Sequence, residues 1–146
     1  MVKYKLILCP VDFSDISDNA FLTALDLAEQ FKADLHVIHV YHLPTSSYPE
    51  GIYSVPAVEE ESRVKDQLSK KLEEYVRNKA TSNVKITTDL YEGIPHIEIT
   101  GYAEKFNADM IVMGTHGRTG LSHVLLGSVA ERVIHTSHIP VLTVRK

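Results

Sequence analysis

Met113–Ser128 reads MGTHGRTGLSHVLLGS, with four glycines (Gly114, Gly117, Gly120, Gly127) directly after the apolar run Met110–Met113. Glycine is placed where another group must approach the backbone closely or where φ turns positive. Gly114 reads as the residue that ends a buried strand and lets the chain turn. Beyond the glycines, Ser128–Thr136 predicts a helix. Asp109–Met113 predicts the strand before them and Pro140–Val144 (PVLTV) the last strand.

Upstream the same alternation repeats. Lys5–Cys9 (KLILC) is a short apolar run stopped by Pro10, which predicts a buried strand. Ala20, Phe21, Ala24, Leu25, Ala28 and Phe31 recur at helical spacing, in a helix starting near Ser17 with Asp15 and Asp18 at its positive end. Leu35–Tyr41 (LHVIHVY) is the second strand. His42–Ala57, with three prolines, reads as a long irregular connection that could lie over a site as a lid carrying Tyr48 and Tyr53. From Val58 to Asn78 the apolar positions Val64, Leu68, Leu72, Tyr75 and Val76 mark one helix face. Val84, Ile86, Thr88 and Leu90 alternate as a strand. Pro95 opens a further helix at a favoured position, and Gly101 weakens its interior.

Strands alternating with helices predict an α/β fold, a doubly wound open parallel sheet of five strands with helices on both faces. If the first three strands wind one way and the last two the other, the order is 3-2-1-4-5. Strands one and four are then central neighbours, and a crevice opens beyond their carboxyl ends. Pro10, Val11, Asp12 and the glycine segment meet there.

The chemistry expected in that crevice is anion binding. Backbone free of Cβ atoms can converge its N–H groups as a nest, and a helix start near Gly127-Ser128 adds unpaired N–H groups and partial positive charge. Arg118 could close over a phosphate, with His116 or His123 as a further donor. Two plainer readings stand beside this one. Ser128-Val-Ala-Glu131 has the form of a capping box. Ser14 is placed to cap the first helix. No Lys precedes Ser128, so GxxxxGK[ST] is absent, and the glycine spacing does not fit GxGxxG. A receiver domain would need acids clustered at two strand ends, and Asp12 stands by itself. His36, His39 and His42 step by three along a strand, which puts His39 on the opposite face and disfavours a metal site.

Gly114-x-x-Gly117, nine residues, then Gly127-Ser128 resembles the G-2x-G-9x-G-[S/T] signature of the ATP-binding branch of the universal stress protein family. KLILCPVDFSDIS resembles that family's opening strand and Pro-x-Asp-x-Ser turn, ADLHVIHVY its second strand, and residues 108–146 its closing third. His42–Ala80 matches only in general character. The resemblance implies an adenine near Pro10, Val11, Asp12 and the backbone of Val40, with Ser14 also among the ATP-binding residues. It implies ribose and phosphates along Met113, Gly114, His116, Gly117, Arg118, Gly127, Ser128 and Val129. Asp12 either faces the ribose hydroxyls or a metal, or is a helix-entry turn residue. Backbone donors plus one Arg undercompensate a triphosphate, so Mg2+ or Mn2+ is expected on the phosphates of ATP, with AMP or ADP as other occupants.

The resemblance favours a nucleotide-responsive regulator of stress survival with an unidentified protein partner. The alternatives are a slow ATP hydrolase or phosphoryl-transfer enzyme, for which no clear base is present, and a dimeric scaffold that binds no nucleotide. The last strand lies at a sheet edge in the proposed order, so Val141, Leu142, Thr143 and Val144 are expected to pair with a second copy as a homodimer. A chain of 146 residues suits one domain over 1–146. A net charge of −4 without a basic stripe argues against nucleic-acid binding. There is no apolar run of membrane-spanning length, the N-terminus is unlike a secretory signal, and the lone Cys9 makes no internal disulfide. A cytoplasmic protein is expected.

Overall fold

A computed structural model of the protein describes residues 1–43, 55–116 and 126–145, with backbone only at 55–57. The tip of the expected lid, with Tyr48 and Tyr53, lies outside the described residues, as do Gly117, Arg118, Gly120 and His123.

The elements run β1 (Leu6–Pro10), α1 (Asp15–Phe31), β2 (Asp34–Tyr41), α2 (Val55–Lys79), β3 (Ile86–Glu92), α3 (Pro95–Lys105), β4 (Met110–Gly114), α4 (Ser128–Thr136) and β5 (Val141–Val144). The strands form one parallel sheet in the order β3-β2-β1-β4-β5, as expected. Helices cover both faces because successive strand residues point to opposite sides. Ile7 and Cys9 of β1 join Phe21, Ala24, Leu25 and Ala28 of α1 and Leu72 and Val76 of α2. Leu8 between them joins Ile99, Tyr102 and Ala103 of α3 and Ala130 and Val133 of α4.

Three expectations are corrected. Helix α1 begins at Asp15, before Ser17, because the Ser14 hydroxyl accepts the Ser17 N–H and so sets the N-cap two residues earlier. Helix α2 begins at Val55, so Pro56, expected in the irregular connection, sits in the first turn, where a missing N–H costs little. The capping box at Ser128–Glu131 does not form. Gly127 is the N-cap of α4, Ser128 is already helical, and among the described residues no side chain caps that end.

Cys9 is fully buried, and burial pushes its thiol pKa far up, so it is a core residue with no thiolate character. Among the described residues no helix is long and apolar enough to cross a membrane.

Candidate functional site

The crevice has a cause in Pro10. Val11 donates its N–H to the Ile38 carbonyl of β2 (2.8 Å), so its neighbour Pro10 faces β4. Proline has no N–H to give. The β1–β4 register ends at Leu8↔Ile111, whereas β1–β2 runs on to Pro10↔Ile38. The two central strands therefore separate early, on the β4 side of β1.

The wall on the β1 side is the turn Val11–Ser14. The Asp12 carboxylate accepts the Ser14 N–H (3.0 Å) and the Ser14 hydroxyl (2.5 Å). The Asp12 N–H in turn reaches the Ser17 hydroxyl at 3.3 Å. Asp12 thus works as a helix-entry turn residue, and Ser14 caps α1. Phe13 between them has φ 65°, a left-handed conformation that is costly for a bulky residue. It is held by rings and charge from elsewhere. His39 lies 4.6 Å away, Tyr75 of α2 meets it edge-on at 5.4 Å, and the Lys71 ammonium stands 4.4 Å over its face. Tyr75 is itself fixed by donating to the Asp18 carboxylate at 2.7 Å, and burial together with that acceptor pushes its hydroxyl pKa far up.

The wall on the β4 side depends on two close approaches. A Cβ at Gly114 would stand 2.7 Å from Cγ2 of Ile16, because the end of β4 lies against the first turn of α1. Gly114 is therefore a packing glycine, and among the described residues the one glycine with positive φ is Gly93. Thr115, buried, continues the pairing by donating its N–H to the Val144 carbonyl at 3.0 Å. Its own carbonyl accepts the Gly127 N–H, so the chain leaves at His116 and returns to the same residue. A Cβ at Gly127 would stand 2.8 Å from that carbonyl oxygen. The Thr115 hydroxyl lies 2.9 Å from Nδ1 of His116.

This return delivers the start of α4 to the carboxyl end of β4. The first intrahelical bond there runs from the Glu131 N–H to the Gly127 carbonyl at 2.9 Å. The amides of Ser128, Val129 and Ala130 belong to the first turn, where an α-helix offers its N–H groups outward and carries positive potential. The side chains of Val11 and Met113 are buried in the two cores, so only their backbone can line the crevice.

Val40 supplies a third wall. Ile38 turns its N–H and C=O toward β1, and Tyr41 accepts from Gly93 on the β3 side at 2.9 Å. Val40 shares the parity of Ile38, so its backbone groups face the space past the end of β1. The structure thus brings Pro10, Val11, Asp12, Ser14, Val40, Met113, Gly114, His116, Gly127, Ser128 and Val129 to one end of the sheet.

The histidines of β2 divide between the faces as their spacing predicts. Nδ1 of His36 lies 2.8 Å from the Tyr102 hydroxyl, under α3, and Nδ1 of His39 lies 2.8 Å from the Val11 carbonyl, under α1 and α2. Among the described residues no group of three or more His, Cys, Asp or Glu could hold a metal ion. Two features have no counterpart in the sequence pattern: the left-handed Phe13 and the His39–Val11 bond. Both depend on contacts between distant segments, and neither leaves a local signal.

Comparison with known proteins agrees with this architecture. The model of the universal stress protein family matches residues 3–145. Universal stress protein MJ0531 of Methanocaldococcus jannaschii is 43% identical over 98% of this chain and 83% of its own. The solved structure of MJ0577 from the same organism is 34% identical, covers 99% of this chain and 98% of its own, and superposes with a TM-score of 0.75. An Archaeoglobus fulgidus universal stress protein solved in complex with dAMP shares the fold (TM-score 0.59, 99% of each chain) at 23% identity. With its central crevice, its sheet order and this match over nearly its whole length, the chain belongs to the universal stress protein family.

Proposed function

We propose that this chain binds ATP in the crevice between β1 and β4 and acts as a nucleotide-responsive regulator. The observation that carries the reading is the start of α4, which no side chain caps among the described residues, brought to Thr115 by Gly127 beside the gap that Pro10 opens. A helix start so placed suits a phosphate. Ser128 and Val129 would hold phosphate oxygens through their amides. Gly114, His116 and, outside the described residues, Gly117 and Arg118 would complete the phosphate wall. Val11 and the backbone of Val40 would hold the base, with Asp12 and Ser14 on the ribose side. Mg2+ or Mn2+ would travel with the phosphates and neutralise charge that one Arg and a set of amides cannot. The dAMP complex of the A. fulgidus relative supports the reading only in that this fold admits an adenine nucleotide. A homodimer through Val141–Val144, a protein partner that reads the bound state, and a cytoplasmic setting belong to the same proposal.

Mass spectrometry of the small molecule released when the purified protein is denatured tests it directly, with ATP or a derived adenine nucleotide expected. Thermal melting gives an independent measure. Mg-ATP at 100 times its dissociation constant stabilises by about 2.7 kcal/mol. Gly117→Val should abolish that shift with the fold retained. No shift in the wild-type protein at millimolar Mg-ATP would leave a scaffold that binds no nucleotide.

A further inference from the structure

The β1–β2 ladder ends where a residue of β2 diverts it. Along that ladder the even-numbered residues of β2 face β1: the Asp34 N–H goes to the Lys5 carbonyl and the Ile38 carbonyl accepts the Val11 N–H, each at 2.8 Å. Continued by one step, the ladder would join the Val40 N–H to the Val11 carbonyl. The imidazole of His39 bonds that carbonyl instead, at 2.8 Å, from the α1/α2 face of the sheet. A carbonyl oxygen only accepts, so Nδ1 of His39 carries the proton and the tautomer is set by geometry. The ring is seated in turn against Phe13, whose positive φ swings the chain away from β2 beyond Val11.

We propose that His39 is a positioning residue for the base. By drawing the Val11 carbonyl off the ladder it leaves the Val40 N–H and C=O, side by side, for the edge of the bound base. One N–H donor next to one carbonyl acceptor complements adenine, which offers a ring-nitrogen acceptor beside an amino donor. It opposes guanine, whose corresponding positions are a ring N–H and a carbonyl. His39 therefore sets base selectivity, whereas the glycine segment and α4 set phosphate affinity. This rests on the nucleotide reading of the crevice.

The experiment is calorimetric titration of wild type, His39→Phe and His39→Asn with Mg-ATP, Mg-GTP and inorganic tripolyphosphate. His39→Phe keeps a ring against Phe13 and loses the donor. His39→Asn restores an N–H donor where Nδ1 stood. The expected result is a loss of about tenfold in ATP affinity for His39→Phe, the worth of about one hydrogen bond to the base. GTP and tripolyphosphate binding should be unchanged, so that the ATP preference collapses, and His39→Asn should recover it. Imidazole 15N shifts of the wild-type protein should show His39 protonated at Nδ1. A His39→Phe variant with an undiminished ATP-to-GTP ratio overturns the proposal and leaves the nucleotide reading standing. So does an Nε2–H tautomer in the folded wild type, which decides the matter even if a variant fails to fold. Wild-type protein that binds neither ATP nor tripolyphosphate overturns both.

Discussion

Gly127 and Gly114 are both fixed by what presses on them, and the two contacts differ in kind. At Gly127 the obstacle is backbone: the Thr115 carbonyl at 2.8 Å and Cα of His116 at 3.2 Å from a built Cβ. Backbone at the end of a central strand cannot yield, so Gly127→Ala must push the start of α4 away and break the Gly127–Thr115 bond. Overpacking of this kind costs about 1–3 kcal/mol, and urea unfolding should show a loss in that range. At Gly114 the nearest atom is Cγ2 of Ile16 at 2.7 Å, on the β-branched carbon of a residue in the first turn of α1, and it moves only with a stiff χ1, so Gly114→Ala should cost about 1–3 kcal/mol as well. His36 carries a pH prediction. Burial lowers its pKa from the ordinary 6.5, against the opposing pull of Asp89 and Asp34, with Lys85 adding to the lowering. The unfolded chain then takes up the proton first as pH falls. The contribution of this group is complete above pH 6.5 and is lost as pH drops through the lower folded value. Stability measured against pH should therefore fall less steeply below 6.5 in His36→Asn than in wild type.

Helices α1 and α3 carry predictions of opposite sign. Ser14→Ala removes the cap of α1 and the hydroxyl that the Asp12 carboxylate accepts, and should cost about 1–2 kcal/mol by denaturant unfolding. Gly101→Ala places a methyl where nothing lies within 4 Å, inside α3. It should stabilise by about 0.5–1 kcal/mol, because glycine in a helix interior loses most on ordering. The order and type of these elements were legible because their apolar residues repeat with the period of the element that buries them. Their ends were less so. Val84 packs on the core yet lies outside β3, and Pro56 belongs to a helix although proline usually signals a break. In the crevice, Pro10 and the paired glycines announce themselves because each residue type has few reasons to stand at a strand end. Phe13 and His39 do not. A bulky residue at φ 65° contradicts its own local preference and is sustained by contacts with His39, Tyr75 and Lys71, all far along the chain. A histidine in an apolar strand reads the same whether it bonds a carbonyl or simply fills space.

The sheet has two edges, and β5 makes one of them, with β4 as its single neighbour among the described residues. Its hydrogen bonds to β4 use alternate residues: the Pro140 carbonyl accepts from Ile111 at 2.9 Å and the Val144 carbonyl accepts from Thr115 at 3.0 Å. Leu142 has the same parity and also faces β4. Val141 and Thr143 therefore turn their N–H and C=O groups outward along the free edge, beside a Leu142 side chain that is 38% exposed. A two-fold axis against this edge would pair it antiparallel with itself, which is the proposed homodimer. The parity allows a test that separates assembly from folding. Thr143→Pro removes an outward N–H and no bond to β4, a change that edge strands tolerate. Leu142→Pro removes an inward N–H and should damage the sheet. Light scattering of Thr143→Pro should give a monomer with a near wild-type melting midpoint where the wild type gives a dimer. A dimer of undiminished stability in Thr143→Pro would mean that the copies meet elsewhere, and a wild-type monomer at every concentration would mean that β5 ends the sheet alone.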